Sequence, residues 1–164
     1  MLEINRPRYN ATVVLSGFEV IGQIEPIGPW VDFLNSKDKH VLPVYAARVL
    51  SVGGAATAPE RPQVCVGRDE VLVLHLPDRA SHSTVHMLKN VQAAIMHTGP
   101  LVVRGEVHLG IEAALTTFLD DLPGNFFPMT NAELFSTQAL PAPLPRKADL
   151  IFLNRARLQL YYPV

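Results

Sequence analysis

Histidines are the first candidates for metal chemistry in this chain. His82 and His86 lie four residues apart, with His75, His97 and Asp78 close to them in the sequence. Two histidines at this spacing share one face of a helix and can bind a metal ion together. The stretch that contains them, DRASHSTVHMLK, is polar and lies between two more apolar regions, which is typical of a connector. We therefore predict no metal site and no cofactor, and keep a histidine-based metal protein or enzyme as a third hypothesis.

Carboxylates and serines are the candidates for acid–base and nucleophilic chemistry. Paired carboxylates act as acid and base when their surroundings drive their pKa values apart, and no feature of the sequence indicates a pocket of that kind. The serines lack a G-x-S-x-G context, and GGAATAP lacks the Lys-Ser/Thr of a phosphate-binding loop. We predict solvated loop charge, no catalytic residue and no enzyme. The residues concerned are Asp32, Asp38, Glu112, Asp120, Asp121, Ser16, Ser51 and Ser136.

Basic and aromatic residues are concentrated in the first half of the sequence. Such a mixture can bind phosphates and stack bases. The formal net charge of the chain is −1, so no global field attracts nucleic acid. Ordinary use in the core or on the surface is therefore the favoured interpretation of these side chains, which are Arg6, Arg8, Arg48, Arg61, Arg68, Tyr9, Trp30 and Tyr45.

The composition is that of a folded domain with a weakly charged surface. The chain has 164 residues, of which 48% are hydrophobic and 18% are charged. A surface with so few charges favours contact with a partner subunit. The one cysteine, Cys65, lies in the apolar run QVCVG and is expected to be buried. No apolar run approaches the roughly 20 residues of a membrane span, and the start lacks a signal-peptide core, so we predict a cytoplasmic protein without membrane contact.

Two similar stretches indicate that one structural unit occurs twice. DFLNSKDKHVLPVYAARV, residues 32–49, resembles TFLDDLPGNFFPMTNAEL, residues 117–134, with Phe-Leu, Pro and Ala at matching places. Upstream, VIGQI resembles VRGEV, which aligns Gly22 with Gly105. Downstream, VCVGRDEVLVLHLP resembles LIFLNRARLQLYYP, which aligns Arg68 with Asn154. Because several blocks follow in the same order, we predict an internal duplication with units at residues 1–78 and 90–164 and a connector at 79–89.

Each unit shows the pattern of five short strands. Runs rich in β-branched and apolar residues alternate with Gly- and Pro-containing turns, and a long Pro-rich loop separates the third and fourth runs. Between the second and third runs, each unit has room for one helical turn, from which Phe33-Leu34 and Phe118-Leu119 are expected to pack against one end of a barrel. Five strands with this spacing are typical of a small β-barrel.

The strand order resembles that of the Sm/LSm-like small β-barrels. In that family a hairpin with Gly-x-apolar precedes Asp-x-apolar-Asn, and an Arg-containing turn precedes the fifth strand. VIGQI, DFLN and VCVGRDEVLVL follow in this order here. The resemblance implies that Asp32, Asn35 and Arg68 line a ring pore and hold a base of single-stranded RNA. The Gly…Phe-Leu…Leu-Pro…Ala pattern also resembles that of uncharacterised bacterial proteins, which indicates no activity.

Together these patterns predict an all-β protein made of two tandem five-stranded, Sm-like barrel units. The favoured function is a non-catalytic scaffold or interaction module that assembles with copies of itself, since unpaired strand edges invite partners. The alternative is a binding module for single-stranded RNA or a nucleotide through Asp32, Asn35 and Arg68.

Overall fold

The computed structural model describes residues 5–51, 58–110 and 114–164. Its first half has five strands and one short helix between the second and third strands. β-Branched and other apolar residues fill the first hairpin, and Gly17 supplies the positive φ that its turn requires. The elements are β1 (Tyr9–Leu15), β2 (Phe18–Ile24), α1 (Trp30–Leu34), β3 (Val41–Ser51), β4 (Arg61–Gly67) and β5 (Val71–His75).

The second half has the same order of elements. Its strands and helix are β6 (Asn90–Thr98), β7 (Leu101–Leu109), α2 (Leu115–Asp120), β8 (Phe126–Ser136), β9 (Lys147–Asn154) and β10 (Leu160–Pro163). Single 3-10 turns occupy Arg68–Glu70, Arg79–His82 and Arg155–Arg157. No described helix has the length and apolar character needed to cross a membrane.

All ten strands belong to one antiparallel sheet, which confirms the all-β prediction. Their order is β10-β6-β7-β8-β9-β5-β1-β2-β3-β4, and the sheet is open, with β10 and β4 at its two edges. Within each half the pairing order is fifth, first, second, third and fourth strand. The halves meet where β5 pairs with β9, with Val73 opposite Leu153 and His75 opposite Ile151.

A β-bulge in the strand opposite a glycine interrupts the sheet at matching places in the two halves. The register between β2 and β3 shifts at Gly22, and the register between β7 and β8 shifts at Gly105. Opposite these glycines, Ala46 and Asn131 adopt positive φ values of 47° and 48°. A Cβ added at Gly22 would lie 2.6 Å from the Tyr45 carbonyl oxygen, so this position needs glycine.

Two hydrophobic cores lie along the sheet, and they share the central strands. Leu150 and Phe152 of β9 pack in the core of the first half, whereas Ile151 and Leu153 pack in the core of the second. Val73 of β5 likewise packs in the second core. The helices contribute as the sequence indicates: Leu34 and Leu119 are buried, and Phe33 and Phe118 are partly buried against the two cores.

The expected burial of Cys65 is wrong, whereas Trp30 follows its favoured interpretation as a core residue. Cys65 is exposed on the edge strand β4, which pairs with β3 on one side and has no strand on the other. Trp30 is buried, and its indole N–H donates to the Ser81 carbonyl oxygen at 2.8 Å, so its ring is not available to stack a base. The connector is therefore held against α1 through Ser81. Gly53, Gly54 and Glu112 lie outside the described residues.

Candidate functional site

A cavity of about 320 Å³ lies where the two halves meet, beside the loops that follow α1 and α2. We call it the junction cavity. The turns that follow β4 and β9 complete its wall. Its lining residues are Leu34, Asn35, Ser36, Lys37, Lys39, His40, Arg68, Asp69, Pro123, Gly124, Asn125, Phe126 and Arg155.

Asn35 connects the two halves at this cavity. Its Nδ2 donates to the Phe126 carbonyl oxygen at 3.0 Å, and its Oδ1 accepts from the Phe126 backbone N–H at 2.8 Å. Gly124 lies so close that an added Cβ would be 2.6 Å from the Asn35 Cβ. The amide thus satisfies both backbone groups of the first residue of β8, which gives Asn35 a structural role.

Arg68 is buried in the cavity wall and holds the loop after α1. Its Nη1 donates to the Ser36 carbonyl oxygen at 3.1 Å, and its backbone N–H donates to the His40 carbonyl oxygen at 2.9 Å. The guanidinium carbon lies 5.6 Å from the centre of the Phe33 ring. Burial lowers the pKa of Arg68, and the Asp69 carboxylate opposes that shift. The Nε atom is buried without a hydrogen-bond partner.

Arg155 occupies the corresponding place in the second half. Its backbone N–H donates to Asn125, and its Nη1 donates to the carbonyl oxygens of Leu119 and Leu122 at 2.8 and 3.0 Å. The alignment of Arg68 with Asn154 is therefore wrong by one residue. Strand pairing reveals the shift. The matched prolines Pro43 and Pro128 lie opposite Cys65 and Phe152, so Cys65 corresponds to Phe152, and Arg68, three residues later, corresponds to Arg155.

The three residues implied by the Sm resemblance are not all in one place. Asn35 and Arg68 both line the junction cavity, whereas Asp32 is exposed on α1 and does not line it. Arg155 joins them, although sequence comparison missed it. The signal that could have found it is the arginine that begins both turns, GRDE and NRAR.

The junction cavity is mainly basic. Its titratable side chains are Lys37, Lys39, Arg68 and Arg155, with Asp69 as the one carboxylate and His40 beside them. Lys37 and Lys39 are exposed, so they are free to contact an anion. The two arginines already bond backbone carbonyl oxygens, and they give the wall a fixed positive charge.

The histidines and loop carboxylates are dispersed. His82 bonds the Leu76 carbonyl oxygen at 2.8 Å through its Nε2. His75 is buried in β5, where desolvation lowers its pKa and nearby His82 lowers it further. No three metal-ligating side chains converge anywhere in residues 5–51, 58–110 and 114–164. Asp38, Asp120 and Asp121 are exposed, in line with solvated loop charge.

The basic and aromatic residues near the N-terminus pair with one another. The Arg8 guanidinium lies 4.0 Å from the centre of the Tyr45 ring, and its Nε donates to Glu25 at 3.2 Å. The Tyr9 and Trp30 rings lie 6.0 Å apart. These contacts give Arg8, Tyr9, Trp30 and Tyr45 structural roles in the fold.

Glu19 is a buried carboxylate that sequence analysis missed. It lies on β2, 1% exposed, next to the Pro-rich loop between β8 and β9. Its Oε1 accepts a long hydrogen bond of 3.4 Å from the Ala142 backbone N–H, and its Oε2 has no partner. Burial raises the pKa of Glu19, and the bond from Ala142 only partly offsets this.

The two edges of the sheet form a second candidate site. On β10, Leu160 is 50% exposed and Tyr162 is 45% exposed, and Val164 follows on the same side of the chain. On β4, Cys65 is exposed beside the partly buried Val64. Apolar side chains on edge strands with a free outer side are typical of surfaces that pair with another strand.

Comparison of the chain with protein-family models, with curated proteins and with solved structures finds no match. The junction cavity and the sheet edges therefore have to be interpreted from their own geometry.

Proposed function

We propose that the chain consists of two tandem barrel-like units, Sm-like in strand order, that arose by duplication. The same pairing order occurs in both halves. The bulges opposite Gly22 and Gly105 and the turn arginines Arg68 and Arg155 occupy corresponding positions. Unrelated sequences would have no physical reason to place a strained backbone residue and a carbonyl-binding arginine at the same two points.

The function that this geometry supports best is a non-catalytic interaction module that assembles with copies of itself. The observation that carries the proposal is the pair of edge strands, each without a neighbour on its outer side, one of which exposes Leu160 and Tyr162. An edge of this kind lowers its free energy when another strand covers it. A cytoplasmic location belongs to the proposal, since the exposed thiol of Cys65 is typical of compartments that keep thiols reduced.

Light scattering coupled to size exclusion tests the assembly. We expect a mass of several chains at micromolar concentration. Replacing Leu160 and Tyr162 by Lys should return the protein to a single chain, because two charges on the edge oppose strand pairing. The matched control is Phe135→Lys, since Phe135 is 43% exposed on the interior strand β8 and should tolerate the change without losing the assembly. A single-chain mass for the unmodified protein would refute the proposal.

The second candidate function is binding of single-stranded RNA or a nucleotide at the junction cavity. The observation that favours it is the convergence of Asn35, Arg68 and Arg155 in a basic cavity. Basic side chains bind phosphate with an affinity that falls as salt rises. Asp32 is not part of this cavity, so the proposal rests on the other residues and on the exposed lysines.

Fluorescence anisotropy with labelled oligo-U and oligo-A tests this function. Lys37→Ala with Lys39→Ala should weaken binding and reduce the salt dependence, because two phosphate contacts are lost. These lysines are better probes than Arg68, which also holds the Ser36 carbonyl oxygen. Lys89→Ala is the control, since this exposed lysine does not line the cavity. Absence of binding at low salt removes the candidate.

A further inference from the structure

The junction inside the chain is an asymmetric one. It joins the fifth strand of one half, β5, to the fourth strand of the other, β9. An interface of this type does not use the same surface twice, and it leaves one complementary surface unused on each side. Here the unused surfaces are the outer edge of β4 and the outer edge of β10.

The strand pairing identifies which edge residues correspond to the junction residues. Leu74 on β5 lies opposite Val13, and Tyr161 on β10 lies opposite Met96. Val13 and Met96 each lie two residues before the last paired residue of their hairpin strand, so they correspond to each other. Leu74 of β5 therefore corresponds to Tyr161 of β10. Pro43 of β3 and Pro128 of β8 also match, and they lie opposite Cys65 and Phe152. Cys65 on β4 therefore corresponds to Phe152 on β9.

Burial separates the two sets of residues. Val73 and His75 are 0% and 8% exposed because β9 covers them, whereas their counterparts Leu160 and Tyr162 are about half exposed. Phe152 is fully buried, whereas its counterpart Cys65 is exposed. The apolar edge of β10 thus has the composition of a junction strand and lacks the strand that would cover it.

The turns beside the junction strands carry charges of opposite sign. Inside the chain, the Arg157 Nη2 bonds the Glu70 Oε1 at 2.8 Å across the junction. These two residues correspond to each other in the two halves, since each ends the 3-10 turn of its half. Two copies joined in the same way would place Glu70 of one copy near Arg157 of the other, so charges of opposite sign would meet again.

We propose that β10 of one copy pairs antiparallel with β4 of the next copy and repeats the internal junction between chains. This inference rests on the proposed self-assembly and specifies its surface and register. Leu160 lies opposite Val66, Tyr161 opposite Cys65, and Tyr162 opposite Val64. Because each copy offers one edge of each kind, the assembly continues head to tail into a ring or a filament.

The external junction is weaker than the internal one. Inside the chain, Asn154 donates to the Asp69 and Val71 carbonyl oxygens at 3.2 and 3.0 Å across the junction. Gly67 stands in the corresponding position on β4 and has no side chain to make these bonds. The assembly should therefore dissociate on dilution while each chain remains folded.

A single engineered cysteine tests the register. Residues directly opposite each other in an antiparallel pair have Cα atoms about 4.5–5.5 Å apart, which a disulfide can span. Tyr161→Cys in the presence of the native Cys65 should form a ladder of disulfide-linked chains under mild oxidation. Mixing Tyr161→Cys in a Cys65→Ser background with unmodified protein should yield linked pairs and nothing longer, because each chain then has one cysteine.

The matched control is Leu160→Cys, whose side chain projects from the opposite face of the same strand. It should give little cross-linking to Cys65. In the unmodified protein, Cys65 should lose reactivity toward a thiol reagent as concentration rises, which tests the same junction without a mutation.

The outcomes separate this inference from the proposed function. An assembly in which Leu160→Cys cross-links as well as Tyr161→Cys, or in which Cys65 stays fully reactive, overturns the register and leaves self-assembly standing. Cross-links of Cys65 to Cys65 in the unmodified protein would show that two β4 edges pair symmetrically, and this would also overturn the proposed pairing of β10 with β4. A single chain at micromolar concentration overturns the proposed function, and this junction with it.

Discussion

At the scale of single residues, Glu19 is a buried polar group whose hydrogen bonding the fold leaves incomplete. Its carboxyl group is buried beside Ala142 with one oxygen unbonded, and burial raises its pKa above the ordinary value of 4.5. A carboxyl group whose pKa is higher in the folded state than in the unfolded state favours folding when it is protonated. Its full contribution is present at pH values below the pKa of the unfolded state. That contribution is lost as the pH rises through the folded-state pKa.

Glu19→Gln should therefore raise the free energy of unfolding at neutral pH, by about 1 kcal/mol, since it removes a buried unpaired charge. Urea denaturation at about pH 4 and about pH 8 checks this. The difference between variant and unmodified protein should be small at the lower pH and grow at the higher one. Glu25→Gln is the control, because Glu25 is paired with Arg8 near the surface. A gain that is independent of pH would contradict the assignment.

Asn35 gives the second prediction at this scale. Asn35→Ala leaves the backbone N–H and carbonyl oxygen of the buried Phe126 without their partner. We expect a loss of about 2 kcal/mol in the free energy of unfolding, measured with urea. The control is Asn10→Ala, since Asn10 bonds Asp78 at an exposed site. If both variants lose the same amount, Asn35 does not connect the halves in the way described.

Residue types alone could identify some of these groups and not others. Asn35 and Arg68 were found through their sequence pattern, and both line the junction cavity. Glu19 was missed because its burial depends on a loop more than 120 positions away in the chain, whose Ala142 covers it. Cys65 was expected in the core because an apolar run looks the same in an edge strand and in a central strand.

At the scale of elements, the bulges in β3 and β8, opposite Gly22 of β2 and Gly105 of β7, bend the sheet in each half. Gly22 is the tighter of the two positions, since an added Cβ would meet the Tyr45 carbonyl oxygen at 2.6 Å and the Val44 Cγ1 at 2.7 Å. At Gly105 the nearest atoms lie at 3.0 Å or more, and the closest is the flexible end of Met129. The two bulges should therefore respond differently to the same substitution.

Gly22→Ala should lower the free energy of unfolding by about 3 kcal/mol and Gly105→Ala by about 1 kcal/mol, because backbone cannot yield as a methionine can. Gly110→Ala is the control, since no atom lies within 4 Å of its added Cβ. Thermal or urea denaturation of the three variants should rank them in this order. An equal cost at Gly22 and Gly110 would contradict the tight contact.

Local patterns predicted the elements better than their long-range pairing. Apolar runs and glycine turns place the strands, and the pairing of the first four strands of each half follows their order in the sequence. The pairing of the fifth strand with the first is long-range. The pairing of β5 with β9 could not be predicted in this way, because both strands are apolar on each face and each would fit an ordinary core. The one-residue shift at Arg155 arose from a similar ambiguity, since apolar strands tolerate either alignment.

At the scale of the whole molecule, the two halves share their cores across the junction. Phe152 belongs to β9 yet packs with the first half, where its ring lies 6.4 Å from that of Trp30. Val73 belongs to β5 yet packs with the second half. Because neither core is complete without a strand of the other half, the chain should unfold in one cooperative transition.

Met129→Ala tests this coupling, since Met129 is fully buried in the core of the second half. We expect a loss of about 2–4 kcal/mol in the free energy of unfolding. Trp30 is the chain's one tryptophan and lies in the first half, so its fluorescence reports on the core that was not changed. Its urea midpoint should fall together with the midpoint measured by far-ultraviolet circular dichroism. If the halves unfold independently, the fluorescence midpoint will stay at its original value while the circular dichroism signal separates into two transitions.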